Sequence, residues 1–319
     1  MAGMAERQTN PADSFWTWRE TMYRFAERFT PEALHAVATQ LYVEMLEAGY
    51  TSVCEFHYLH HAPDGRAYAD PAEMSRALIA AARDTGIRMT LLPVLYMTGG
   101  FDERPLSERQ RRFGHTVDAY LRLLDALRAE SDQLLRVGCC LHSLRAVPPA
   151  PMREVLAALP ADSRVHVHIA EQVAEVEDCL ALRHARPVEW LLANAQVDQR
   201  WTLVHATHLN EAEVQGIAAS GATVAVCTTT EANLGDGFFR CAITWMPAGI
   251  GAWDRIRISR FRRSRNCAGW STGSACSRGV ETSRSARAAP VSARLCCRAC
   301  MRARSVRPAI RRRVWPATP

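Results

Sequence analysis

Lysine is missing from this 319-residue sequence, so all 39 of its basic side chains are arginine, a bias that points to a GC-rich coding sequence. No apolar run approaches the ~18 residues that a membrane-crossing helix needs. The opening MAGMAERQTNPADSFWTWRE is polar and mixed in charge, without the apolar stretch of a secretory signal. The first 239 residues contain no CxxC pair and no regular cysteine framework, which excludes a disulfide scaffold or a zinc ribbon there. No glycine-rich phosphate loop follows any apolar run, which weighs against the nucleotide-binding open sheets. These absences leave a soluble protein of the reducing cytoplasm, with no membrane partner, as the expectation.

The net charge of +6 averages two unlike parts. Residues 240–319 carry 18 Arg against two acids, Asp254 and Glu281, whereas residues 1–239 hold 21 Arg and 31 acids. Six of the 11 cysteines crowd into the shorter part. An arginine-rich arm could neutralise nucleic-acid phosphates. Here it lacks any recognisable binding fold, and CCRAC at 296–300 lacks paired ligands at zinc-finger spacing. The expectation is an unfolded tail over 240–319 that binds no specific nucleic acid, following a folded region over 1–239.

The first part has a regular rhythm. Apolar runs rich in β-branched residues recur at 51–58, 88–96, 134–144, 165–171, 201–208 and 222–229. Helix-like segments lie between them: 70–86 opens on a candidate Asp70 cap and stops at Gly86, and 30–49 runs from Thr30 to Gly49. Strand, helix, strand at this spacing implies βαβ units and a parallel sheet. Six such units fit either an incomplete (β/α)₈ barrel of the TIM type or an open doubly wound sheet. The polar residues favour the barrel, because EFHYLHH, LHSLRA, HVHIAEQ and VHATH cluster reactive side chains at the C-terminal ends of four strands.

In VHVHIAE, His166 and His168 share one face of a strand and Glu171 follows just past its end. Neutral imidazole suits Zn²⁺, and a nearby carboxylate can carry protons for a metal-bound water. A lone strand-end histidine more often bonds a neighbouring loop. The coincidence of His142, His168, Glu171 and His205 at successive strand ends favours the functional reading, with His166 one layer deeper in the core. Arg145 offers a planar fork for a carboxylate or, equally, a salt bridge to a loop acid. Arg19 alone reads as a surface charge on a helix.

The strings DSFWTWRETMYRF, GYTSVCEFHYLHH, HSLRAV, HIAEQ, ARPVEWL, VDQRWTLVHATH and TEANLGDG together resemble the formiminoglutamate deiminases. These amidohydrolase-superfamily enzymes of histidine breakdown hydrolyse N-formimino-L-glutamate to N-formyl-L-glutamate and ammonia. The resemblance runs from residue 1 to about Phe239. It implies a metal-dependent amidohydrolase barrel with one zinc per chain, His168 as a zinc ligand, and Glu171 and His205 in proton transfer. It also implies that Arg19, Tyr58, His142 and Arg145 hold a small dicarboxylate substrate, and it leaves a homodimer open for the intact family. The alternatives are a related zinc deaminase acting on another amidine or aminated ring, and a non-catalytic binder of acidic metabolites.

Two features of the family pattern are absent from this sequence: the His-x-His ligand pair of the first strand and the Gly-Ser-Asp-Ser-His stretch of the eighth. A chain lacking both is expected to start downstream of that pair, to retain no zinc and to be inactive. From about Arg240 the neighbouring reading frame permits the second feature. Joining the third base of each codon to the first two of the next, residues 252–258 permit Val-Gly-Ser-Asp-Ser-His, with the Gly forced by Trp253-Asp254. Residues 266–276 permit Leu-Arg-Trp-Leu-Glu-Tyr-Gly-Gln-Arg-Leu, which resembles the family's next helix. The expectation is a frameshifted tail.

Overall fold

The computed structural model describes residues 15–227 with 230–231, 234–237, 239 and 250–253, and side chains only between Glu20 and Phe239. The chain divides into two units, 1–278 and 279–319, and every described residue belongs to the first. Eight α-helices, a short 3₁₀ helix (Glu108–Phe113) and eight strands are described: α1 (Phe15–Ala26), α2 (Pro31–Glu47), β1 (Ser52–His57), α3 (Glu73–Thr85), β2 (Arg88–Leu95), α4 (Val117–Arg128), β3 (Leu135–Val137), β4 (Cys139–Ser143), α5 (Pro149–Ala158), β5 (Val165–Ile169), α6 (Val173–Arg183), α7 (Pro187–Asn194), β6 (Trp201–His205), α8 (Glu211–Ser220), β7 (Thr223–Val226) and β8 (Ile250–Trp253). Each strand pair is parallel, in the order β1-β2-β4-β5-β6-β7-β8, with β3 beside β2. This is the incomplete (β/α)₈ barrel that the alternating runs imply.

Local chemistry sets the boundaries. Thr30 caps α2 by accepting the Ala33 N–H, and Pro31 supplies a pre-set first turn. Gly86 ends α3 in the left-handed region at φ 75°. Asp70 does not cap α3 as its spacing suggests: Ala72 holds the cap position, and the Asp70 carboxylate closes a preceding turn onto the Ala72 N–H. The run expected as one strand over 134–144 is two, divided at Gly138. A Cβ there would come within 2.7 Å of Leu92 Cδ2 and 3.1 Å of the Arg164 carbonyl, so a side chain has no room between the neighbouring strands.

The unfolded segment expected from residue 240 meets one exception. Ile250–Trp253 pair with β7 from Thr223↔Ile250 to Val226↔Trp253, so β7 is not an edge. An apolar backbone stretch satisfies its N–H and C=O groups by joining the open ladder of β7, whatever the arginine content around it. The rest of 240–319 lies outside the described residues. Among the described residues no helix is long and apolar enough to cross a membrane, and all five cysteines are free.

Both faces of the central strands are covered: β5 is buried at all five positions, as parallel strands between helices require. Buried polar groups fasten the surrounding loops. Arg112, 2% exposed, donates to the carbonyls of Ala26, Phe29 and His61, tying α1, the α1–α2 turn and the loop after β1 together. Glu213 pairs with Arg186 at 2.8 Å and also accepts the Asn210 N–H, joining the start of α7 to the start of α8.

Next to Arg112 lies a histidine cluster. Ring centroids are 4.8 Å apart for His57 and His60, 4.4 Å for His60 and His115, and 5.2 Å for His61 and His115. His57 Nε2, His60 Nδ1 and His115 Nε2 have no hydrogen-bond partner among the described residues. Burial is the main cause that lowers His57 and His115 to about 3, aided by His115 and Arg112 for the former and His61 for the latter. Both stay neutral in the folded state but take protons near pH 6.5 when unfolded, so stability is full above that value and falls as pH drops towards 3. Each should cost about 1.4 kcal/mol per pH unit in that window. Urea unfolding at pH 7.5 and pH 5 should show this loss, and His115→Phe should flatten the slope; an unchanged slope would sink the assignment.

Candidate active site

The strand ends that carry the site are turned by residues in an unusual conformation. Ala170 after β5 has φ 52°, and His205 and Ala206 at the end of β6 have φ 69° and 48°. Side-chain-bearing residues adopt this region at a cost, and such residues cluster where a site is held in one arrangement. Two cross-strand bonds hold the turns, Ala206 N–H to the Ile169 carbonyl and His208 N–H to the Ala170 carbonyl, both at 3.0 Å. Glu175, on the first turn of α6, accepts the N–H groups of Ala170 and Glu171 at 3.0 Å each. Burial raises the Glu175 carboxyl to about 7, against the lowering effect of the Ala170 bond and the Arg145 charge.

His168 is oriented by the strand beside it. The β4–β5 register shifts between Leu141 and Ser143, a bulge centred on His142. The His142 carbonyl accepts the His168 Nδ1–H at 2.8 Å, which leaves Nε2 with its lone pair, 3.1 Å from the Tyr58 hydroxyl. Burial, aided by the charge of His205, lowers the His168 pKa to about 3, so the ring is neutral at physiological pH. A neutral imidazole anchored through one nitrogen to a carbonyl is the form in which histidine binds metal.

His205 sits between two carboxylates. Its Nε2 is 3.2 Å from Glu171 Oε1 and its Nδ1 is 3.2 Å from Glu231 Oε1. Burial opposes its charge, but Glu171, Cys227 and Glu231 outweigh it and raise the pKa well above the ordinary value. Asp236 joins this group through its backbone N–H, which donates to the Glu231 carbonyl at 2.9 Å, its carboxylate accepts from Gln172 Nε2, and burial, with Glu171 next, raises its carboxyl to about 8. His205, Cys227 and Glu231 also present donor atoms within 4.8 Å of one another, a set that could hold a metal ion.

Around His168 the rings of Phe56, His142 and Tyr58 lie at centroid distances of 4.9, 5.4 and 6.2 Å. Tyr58 and His142 meet edge to face at 5.8 Å. Arg145 is partly buried and makes one long hydrogen bond, 3.5 Å to the Tyr96 hydroxyl, and no ion pair among the described residues. Burial disfavours its charge, while Tyr96 and Glu175 favour it and raise its pKa on balance. The structure therefore brings His168, Glu171, His205, Tyr58 and His142 together, with Arg145 beside His142 through Tyr96. Arg19 lies on α1, but its side chain is outside the described residues. His166, read as a core residue, is buried in β5 against Phe56, with ring centroids 5.6 Å apart.

Sequence reasoning missed Glu231, Asp236, Glu175 and Tyr96. The first two stand in TEANLGDG without a strand to announce them, and Glu175 is one helical turn from Glu171. Tyr96 closes an apolar run and carries no sequence mark of function.

The Amidohydrolase family model matches residues 3–246. The chain is similar to formimidoylglutamate deiminase of Pseudomonas aeruginosa, with 57% identity over 240 residues, which are 75% of this chain and 53% of that one. Its structure is similar to that of an amidohydrolase from Brucella melitensis, with a TM-score of 0.84, 42% identity, and coverage of 93% of this chain and 66% of the other. An atrazine chlorohydrolase from Arthrobacter aurescens, complexed with zinc, shares the fold at a TM-score of 0.66 and 20% identity, covering 80% and 57% of the two chains. The chain spans about half the length of the curated relatives it matches.

Removing the Glu175 carboxylate should loosen the turn that presents Glu171. Glu175→Ala leaves two buried N–H groups unpaired, a cost of about 1–3 kcal/mol. Glu175→Gln keeps one acceptor and should lose less. Urea midpoints ordered wild type, Gln, Ala are the expected result; three equal midpoints would show that water replaces the carboxylate.

Proposed function

Because this chain belongs to the amidohydrolase family, we propose that its site is built for hydrolysis of the C–N bond of N-formimino-L-glutamate, giving N-formyl-L-glutamate and ammonia. The observation that carries the reading is Arg145, a partly buried guanidinium beside the His142–Tyr58–His168 group that makes no ion pair among the described residues. A partly buried cation without a paired anion is costly, and a substrate carboxylate is the partner that would satisfy its fork. The second relative, an 8-oxoguanine deaminase at 26% identity, acts on a neutral ring by its name, and a guanidinium without an ion-pair partner is a poor wall for such a ring.

The reading assigns the remaining groups. His168 Nε2 is the nitrogen prepared for zinc, since its ring is neutral and anchored through Nδ1. When bound, zinc supplies hydroxide at neutral pH. Glu171 stands 3.2 Å from His205, so the carboxylate would take a proton from the attacking water and the neighbouring imidazolium would favour its release to the leaving nitrogen. The leaving group is then ammonia rather than an amide anion. Tyr58 donates towards His168 and borders the same space.

His168 is one ligand, and in the His205–Cys227–Glu231 set the Glu231 carboxylate is already bonded to the His205 ring and to the Cys227 N–H, so together they present fewer open donors than a zinc site requires. The 319-residue chain is therefore expected to hold less than one zinc per chain and to release no ammonia from N-formimino-L-glutamate. A chain carrying the family's His-x-His pair and the eighth-strand Asp should do both. In that chain Arg145→Met should weaken substrate binding by roughly 10- to 100-fold, the worth of a charge-assisted hydrogen bond. Glu171→Gln should abolish turnover with the metal retained. Activity on a neutral ring and indifference to formiminoglutamate would replace this reading with the deaminase alternative.

The second half of the reading concerns residues 240–319. We infer that they are written in a frame adjacent to the family's, since Trp253-Asp254 forces the Gly of a Gly-Ser-Asp-Ser-His string. Sequencing the gene across codons 236–245 should reveal an inserted or missing base. A confirmed frame with Arg codons read as written would overturn the inference.

A further inference from the structure

Tyr96 follows the last residue of β2 and is 2% exposed. Its hydroxyl is contacted from two sides, by Gln110 Nε2 at 3.0 Å and by Arg145 Nη1 at 3.5 Å. The direction of both bonds is fixed. Gln110 Oε1 accepts the Ser107 backbone N–H at 3.0 Å, a group that can only donate, so the amide nitrogen must face the phenol. A guanidinium likewise has no acceptor. The Tyr96 oxygen therefore accepts twice, and its own hydrogen points elsewhere. Among the described residues the two bonds to this hydroxyl are both ones it accepts, and none is donated by it.

The surroundings of that hydrogen belong to the site. The Tyr96 ring meets His142 edge to face at 4.3 Å, and Thr98 Oγ1 donates to the Arg145 carbonyl at 3.1 Å, so the end of β2 and the residues after β4 are tied together. Gln110 also reaches the Tyr23 hydroxyl at 3.4 Å, which links the arrangement to α1, the helix of Arg19. Gln110, 6% exposed, is thus a buried donor whose orientation is imposed by the backbone.

Resting on the reading of the site as one for a carboxylate-bearing amidine, we propose that Tyr96 is a specificity-determining residue whose O–H donates to the substrate carboxylate held by Arg145. One carboxylate oxygen takes the guanidinium and the other takes the phenol. Gln110 is the positioning residue that turns the phenolic hydrogen towards the site. A neutral group in place of the carboxylate could accept from Tyr96 but would leave Arg145 unpaired, so the pair selects for an anion.

The test uses the full-length chain as wild type, Tyr96→Phe and Gln110→Leu. Calorimetric titration with N-formimino-L-glutamate and with its neutral diamide reads the ligand preference. Phenylglyoxal modification of Arg145, followed by peptide mass analysis, reads the guanidinium without any ligand. Tyr96→Phe should weaken binding of the diacid about 10-fold, weaken the diamide by clearly less and speed modification of Arg145 several-fold, with an unfolding midpoint near wild type. Gln110→Leu should shift the same readouts by less. Equal diacid affinity, or an equal modification rate, in wild type and Tyr96→Phe would overturn the proposal. If wild type binds neither compound, the substrate reading fails on its own, and the modification rates still decide whether Tyr96 holds Arg145.

Discussion

The hydrogen bond from His168 Nδ1 to the His142 carbonyl joins the two strands on which the site depends. A carbonyl is available there because the β4–β5 ladder slips between Leu141 and Ser143. A bulge removes one residue from regular pairing and frees its backbone for a side chain. The same slip sends the His142 ring towards Tyr58 and Tyr96. Were the ladder regular, the His168 ring would lose the partner that fixes its tautomer, and its Nε2 lone pair would no longer face Tyr58. A single irregularity of register thus settles the direction of two histidines.

Around His205 the physical problem is charge. Three acids, Glu171, Glu231 and Asp236, surround one imidazole in a buried space, and full ionisation of all three would leave excess negative charge with little water to screen it. Two responses appear in the structure. His205 is pushed towards its charged form, and Asp236 is pushed towards its neutral one. The group therefore approaches balance by placing protons rather than by excluding acids.

Much of this was legible in sequence. The six apolar runs map onto β1, β2, β3 with β4, β5, β6 and β7, and the histidines at their ends meet because parallel strands deliver their C-terminal residues to one side. The pattern carries that information since strand period and strand polarity are local properties. What it could not carry depends on approach through space. Gly138 splits a run only because Leu92 and Arg164 crowd it. Glu175 matters because its carboxylate folds back onto two N–H groups, and Asp70 lost its capping role to a turn one step earlier. Ile250–Trp253 join the sheet from a stretch whose composition argues against order.

The loops that carry the site are held by charged groups turned inward, and this explains how such irregular backbone can be so firmly placed. Arg112 gathers three carbonyls from three segments, and Arg186 with Glu213 gathers the start of two helices and the His208 carbonyl. In each case the ion bonds to backbone, whose polar groups in a loop would otherwise lack partners. Hydrophobic packing cannot do this, because it leaves N–H and C=O groups unpaired. The apolar core fixes the strands, then, and the buried ions fix the segments between them. The left-handed turns at Ala170, His205 and Ala206 persist because both kinds of restraint converge there: strands paired on one side, and Glu175, partly buried, on the other.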